Sequence, residues 1–264
     1  MWLAKQWAKM WKWILDVFTD EDPAKPKKTP LKGHKASFLW DNAATRCMNM
    51  FSPGCDRARF EAAIGRMKAM GCNMAYAYTV NAADGPWGFS LYTGDNLAGN
   101  LDAAKLAEFK SRVTFCRKAG LGVVFWLMAD DSSKYARLPL PTLQKYVREV
   151  VGLLSDDASG FVVGLEADEY WNQNAITTLV AAAKAESKVP VGVHYRPGRV
   201  LYAGDVLFYQ YGFGKSAKQI EAETRNVIGR CGSPVVAAEY HKSGSRSLSE
   251  AALRGGAYGV GNWA

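Results

Sequence analysis

The chain has no uninterrupted apolar run approaching the roughly 18–20 residues that cross a bilayer, which excludes a membrane-embedded protein. It is poor in histidine, with only His34, His194 and His241, and it has no HxH, HExxH or CxxC pattern. A metal hydrolase or structural zinc module is therefore not expected, and no metal or cofactor is assigned. Its five cysteines are an odd number at irregular spacings, so reduced, mostly buried thiols are expected rather than a disulfide framework. No dense basic face accompanies the net charge of +8, so nucleic acid is not an expected partner. A cleavable signal peptide is not expected either, because lysines interrupt the apolar residues of segment 1–18.

What is present is an ordinary globular composition, 264 residues with 48% hydrophobic and 22% charged. The charge is uneven. Residues 1–35 hold eight lysines against four acids, +4 of the total. Within them, residues 1–18 set Lys5, Gln6, Lys9, Lys12 and Asp16 on one narrow helical stripe and place Trp2, Trp7, Trp11 and Trp13 among apolar neighbours. Such a helix suits either contact with a membrane surface or cell wall, or docking on the main domain. Residues 19–35 are Pro- and Lys-rich and read as a solvated linker.

From residue 36 to 264 the pattern alternates. Runs rich in β-branched and aromatic residues predict buried parallel strands at 37–40, 73–79, 122–129, 161–165, 189–195, 206–211, 235–238 and 258–263. Helical periodicity predicts helices at 56–70, 102–119, 141–154, 173–187, 216–230 and 248–254. Eight strands with crossover helices predict an α/β fold, a (β/α)8 TIM barrel. A doubly wound sheet would want a Gly-rich turn after its first strand, and Leu39-Trp40-Asp41-Asn42 is followed by none. Residues 197–205 are too short for a full fifth helix. The barrel is expected to lack its own eighth helix, leaving an apolar flank that the N-terminal amphipathic helix could cover.

Chemistry in such barrels gathers at the C-terminal ends of the strands. Those ends hold Asp41, Tyr78, Asp130, the run Glu166-Ala167-Asp168-Glu169-Tyr170-Trp171, His194-Tyr195, Gln210-Tyr211, Glu239 and Trp263. Carboxylates bridge sugar hydroxyls and aromatic faces stack on pyranose rings, so a carbohydrate is the expected substrate. Hydrolysing a glycosidic bond takes one carboxyl group to protonate the leaving oxygen and a second to attack or activate water. A glutamate ending strand four and another ending strand seven would supply the pair.

The order of these strand ends resembles the large clan of retaining (β/α)8 glycoside hydrolases that includes cellulases, mannanases and β-galactosidases. In that clan the acid/base glutamate follows strand four, usually as Asn-Glu, and the nucleophile follows strand seven. Pro234-Val235-Val236-Ala237-Ala238-Glu239 is similar to the second pattern, and Asp168-Glu169 stands where Asn-Glu would. The resemblance implies Glu239 as nucleophile and Glu169 as acid/base. Glu166 is the competing acid/base candidate, because Val162-Val163-Gly164-Leu165-Glu166 parallels the run into Glu239. Their strand-end positions make Asp41, Tyr78, Asp130 and Trp171 candidates for substrate contact, and the resemblance implies further contacts from Asp168, His194, Tyr195, Tyr211 and Trp263, with Tyr211 donating a hydrogen bond to Glu239. Polysaccharide hydrolysis with retention is the expectation. A non-catalytic carbohydrate-binding or structural barrel and a cell-wall peptidoglycan hydrolase are the alternatives.

Overall fold

A computed structural model describes residues 36–37, 50–81, 89–93, 97, 99–128, 135, 137–199, 204–239 and 246–261. The amphipathic segment 1–18 and the linker 19–35 lie outside the described residues, as do Asp41, Asp130 and Trp263.

Eight parallel strands form one sheet: β1 (Ala36–Ser37), β2 (Met74–Tyr78), β3 (Gly122–Trp126), β4 (Gly160–Val162), β5 (Val191–Tyr195), β6 (Val206–Gln210), β7 (Val235–Glu239) and β8 (Gly259–Val260). Strands β2 to β8 pair in chain order, and β8 returns to pair with β1 through Ala36 opposite Gly259. This is the strand order of a (β/α)8 barrel, as the sequence predicts. Among the described residues the β1–β2 pair is the one neighbouring pair of the ring without ladder hydrogen bonds.

Among the described residues, six α-helices lie between the strands: α1 (Arg57–Ala69), α2 (Ala103–Lys118), α3 (Leu140–Leu154), α4 (Gln173–Glu186), α5 (Ala217–Cys231) and α6 (Arg246–Arg254). Their boundaries follow local chemistry. Asp56, Asp102 and Asn172 accept the free N–H groups of the first turns of α1, α2 and α4, and Ser216 with Gln219 forms a reciprocal capping box on α5. On α3 the buried positions Leu143, Tyr146, Val147, Val150, Val151 and Leu154 recur at helical spacing and make one face.

Between β5 and β6 the described residues contain no helix, as the short Gly/Pro-punctuated segment predicts. The chain there passes Gly204 at φ 65°, where a β-carbon would lie 2.4 Å from the Val191 carbonyl oxygen. One element is new relative to the sequence reading, a short antiparallel hairpin of Val80–Asn81 with Phe89–Ser90 inserted after β2. Cys55, Cys72, Cys116 and Cys231 are free thiols, and burial pushes the Cys116 thiol pKa up, so it stays protonated and inert.

Two apolar layers result. The larger lies between strands and helices. The smaller fills the inside of the ring and supports the strand ends.

Candidate active site

Alternate residues of each strand face inward. Tyr76 and Tyr78 of β2, Trp126 of β3, Val162 of β4, Phe208 of β6 and Val236 of β7 belong to the inner cluster. Trp126 is its hub and is fully buried. Its ring centroid lies 5.0 Å from Tyr76, 5.9 Å from Tyr78, 5.4 Å from Phe208 and 5.3 Å from His194. Edge-to-face packing of this kind makes a stiff aromatic floor. Tyr78 and His194 therefore line the interior.

On β7 the alternation breaks at the C-terminal end of the strand. Phe208 pairs with Val236 and Tyr209 with Ala237, but Gln210 pairs with Glu239, skipping Ala238. Strict alternation from Val236 would turn Glu239 toward the helices. The extra residue is a β-bulge, and a bulge re-aims the side chain that follows it. Glu239 thereby takes the inward parity of Gln210, whose Nε2 donates to its Oε2 at 3.3 Å.

The end of β4 is also out of step. Val163 belongs to the outer core and Leu165 to the inner cluster. A β-carbon on Gly164 would sit 2.8 Å from Cζ3 of Trp171, so the outward space at this position is filled by that indole. Immediately after, Glu166 adopts φ 45° and ψ 44°, the left-handed conformation, and no other non-glycine residue among those described has positive φ. Its N–H donates to Nδ1 of His194 at 3.0 Å, while its carbonyl accepts from Glu169 N–H at 2.9 Å to open the 3-10 turn Ala167–Glu169. Since Nδ1 accepts, it carries no proton, and the ring is the neutral tautomer protonated on Nε2.

The remaining carboxylates of this loop face Arg196. The Asp168 side chain is fully buried and accepts from Arg196 N–H at 3.1 Å and from its Nε at 3.3 Å, with Arg199 Nε 3.8 Å away. Glu169 lies at the surface with Oε1 2.6 Å from Arg196 Nη1. The loop after β4 is thus fastened to the loop after β5 by an ionic cluster.

The structure brings Glu239, His194 and Tyr78 to the interior strand ends and binds the Glu166 main chain to His194 there. It sets the other candidates elsewhere. Asp168 is a buried anchor on Arg196, because its oxygens are taken up by that side chain and main chain. Trp171 is packed over Gly164 in the outer core, and Tyr195 points into the same layer because it follows inward-facing His194 on β5. Tyr211 also departs from expectation. Its hydroxyl is 2.6 Å from Thr224 Oγ1 on α5, so the Gln210 side chain rather than the Tyr211 hydroxyl meets the Glu239 carboxylate, while the Tyr211 N–H donates to the Glu239 carbonyl at 2.9 Å.

The sequence places Gln210 at a strand end without assigning it a role, and it does not single out Arg196. Gln210 follows from inward parity along 206, 208 and 210. Arg196 carried no sequence signal, since its two carboxylate partners lie about one strand and helix earlier. A further omission is Phe213, 78% exposed on the turn after β6. Among the described residues no cluster of three or more side chains could hold a metal ion.

No protein-family model and no curated protein sequence matches the chain. Solved structures do match. A family 5 glycoside hydrolase from Bacteroides vulgatus superposes with a TM-score of 0.64 at 12% identity, over 86% of this chain and 57% of that one. The endo-1,4-β-mannanase of Eisenia fetida gives 0.61 at 15% identity, covering 89% and 87%. A family 5, subfamily 18 enzyme of Streptomyces cattleya, solved in complex with Manβ1-4GlcNAc, gives 0.57 at 12% identity, covering 79% of this chain and 66% of that one. At these identities the likeness establishes the fold, a parallel (β/α)8 type shared with glycoside hydrolases of families 5 and 113.

Proposed function

We propose that the chain is a retaining glycoside hydrolase in which Glu239 is the nucleophile and Glu166 the acid/base. The observation that carries the reading is the bulge at Ala238, which spends one residue of β7 to turn a carboxylate into the ring beside Gln210. A glutamate with only a structural role at a strand end has no need of that device. Of the two acid/base candidates, Glu166 is favoured over Glu169 because its main chain is bound to inward-facing His194, whereas the Glu169 carboxylate is committed to Arg196 at the surface.

The chemistry then runs in two displacements. Glu166 gives its proton to the glycosidic oxygen as the Glu239 carboxylate bonds to the anomeric carbon, and the aglycone leaves as an alcohol. Water then attacks that carbon, passes a proton to Glu166, and releases Glu239 as a carboxylate. Gln210 donates to Glu239 and helps keep it ionised. Phe213 offers an aromatic face to a sugar entering at the rim. The solved structures that resemble this chain include β-1,4-mannanases and an exo-β-1,4-mannosidase, which supports β-linked mannosides as the substrate class.

Reducing-end release from a polysaccharide panel that includes mannans and peptidoglycan tests the reading. Wild type and Glu169→Gln are expected to cleave, with Glu169→Gln slowed less than about tenfold. Glu239→Gln and Glu166→Gln should lose about 10²–10⁴-fold, the usual worth of such a group. Equal activity in wild type and Glu239→Gln would sink the assignment.

A further inference from the structure

We infer that His194 is a positioning residue, whose neutral ring holds the main chain of Glu166 in its left-handed conformation and so aims the carboxyl group. The inference rests on the acid/base assignment just proposed and adds the device that orients it.

Left-handed φ, ψ is costly for a residue with a β-carbon and persists only where the surroundings impose it. At Glu166 those surroundings are explicit. The N–H of Glu166 donates to a side chain, His194 Nδ1, at 3.0 Å. The His194 N–H in turn donates to the Gly164 carbonyl at 3.3 Å, so the same residue grips the chain on both sides of Leu165. The imidazole cannot swing aside, since it is fully buried and packs 5.3 Å from the Trp126 ring. Two residues further along, Arg196 binds Asp168 and Glu169 and closes the far end of the turn. Glu166 is thus pinned between two fastenings, inward-facing His194 on β5 and Arg196 in the loop just after that strand. A histidine that merely filled the core would satisfy its nitrogen on the helix layer or on water, with no reason to take the N–H of the one strained residue.

The chemistry distinguishes positioning from packing. Asn offers Oδ1 at the same bond distance from the main chain as Nδ1 and can still accept, while Leu places a methyl group there and cannot. Kinetics are read on β-1,4-mannohexaose and on a dinitrophenyl β-mannoside, whose leaving group departs without protonation. His194→Leu is expected to lower kcat/KM on the hexaose about 10²-fold and on the aryl mannoside less than about threefold, with His194→Asn recovering most of the loss. Equal loss on both substrates, or no loss on either, would overturn the proposal.

Two structural measurements stand apart from activity. In unsubstituted protein, ¹⁵N NMR of the His194 ring should show protonated Nε2 and a hydrogen-bonded, unprotonated Nδ1 at pH 7; a proton on Nδ1 overturns the proposal, even if His194→Leu fails to fold. If wild type cleaves neither substrate, the glycosidase reading fails instead. The φ of Glu166 in crystals of His194→Leu then decides positioning alone, with departure from the left-handed region supporting it and retention refuting it.

Discussion

Glu166 spends on the order of 1–3 kcal/mol to hold its left-handed backbone, an energy any glycine would save. If that strain serves the reaction, stability and activity must pull in opposite directions at this residue. Glu166→Gly is therefore expected to stabilise the fold by about 1 kcal/mol in urea unfolding while abolishing hydrolysis. A loss of stability in that variant would mean that the carboxyl group, not the backbone, is what the fold needs. The same logic reads His194 and Glu239. Under the proposed mechanism His194 takes its part through the N–H of Glu166, and Glu239 is met by Gln210.

The elements show what local pattern can and cannot carry. Helices α1, α2, α4 and α5 begin where Asp56, Asp102, Asn172 and Ser216 stand ready as caps, and those residues are visible in the sequence. The strands are equally visible as short apolar runs. The bulge in β7 is not, because Val-Val-Ala-Ala-Glu reads as one unbroken strand and the skipped residue is set by pairing with β6. Arg112 on α2 is another tertiary feature. Almost fully buried, it donates to the carbonyls of Met50 and Cys55 at 2.7 Å each and to Glu108 at 2.8 Å, with its guanidinium 5.2 Å from the Phe60 ring centroid. It ties the loop entering α1 to α2. Arg112→Met keeps the length and apolar stem but strands two carbonyls, and should cost about 2–4 kcal/mol by chemical denaturation without changing KM.

At the scale of the whole molecule, the ring brings the ends of β4 and β7 to one face of the barrel although some 70 residues separate Glu166 from Glu239. The retaining reaction proposed for this chain requires these two carboxyl groups about 5–5.5 Å apart in the catalytic state, and a separation nearer 8 Å would give inversion. ¹H NMR of freshly released sugar settles which applies. The first product should carry the anomeric configuration of the substrate, and prompt appearance of the opposite anomer would contradict the two-displacement scheme.

Alternating short apolar strands with capped, amphipathic helices was enough by itself to determine the (β/α)8 architecture and to place carboxylates at several strand ends, Glu166, Glu169 and Glu239 among them. Those features are local: side-chain periodicity, capping groups and turn residues act within a few positions of chain. Only the tertiary structure decided which side each residue faces at those ends. It turned Glu239 inward through a pairing shift with β6 and placed Tyr211 against Thr224 on α5. It also drew Asp168 and Glu169 onto Arg196 and left Glu166 with His194. These outcomes depend on register and on partners distant in sequence. A single-residue slip reverses the face of every side chain that follows, and no local pattern encodes it.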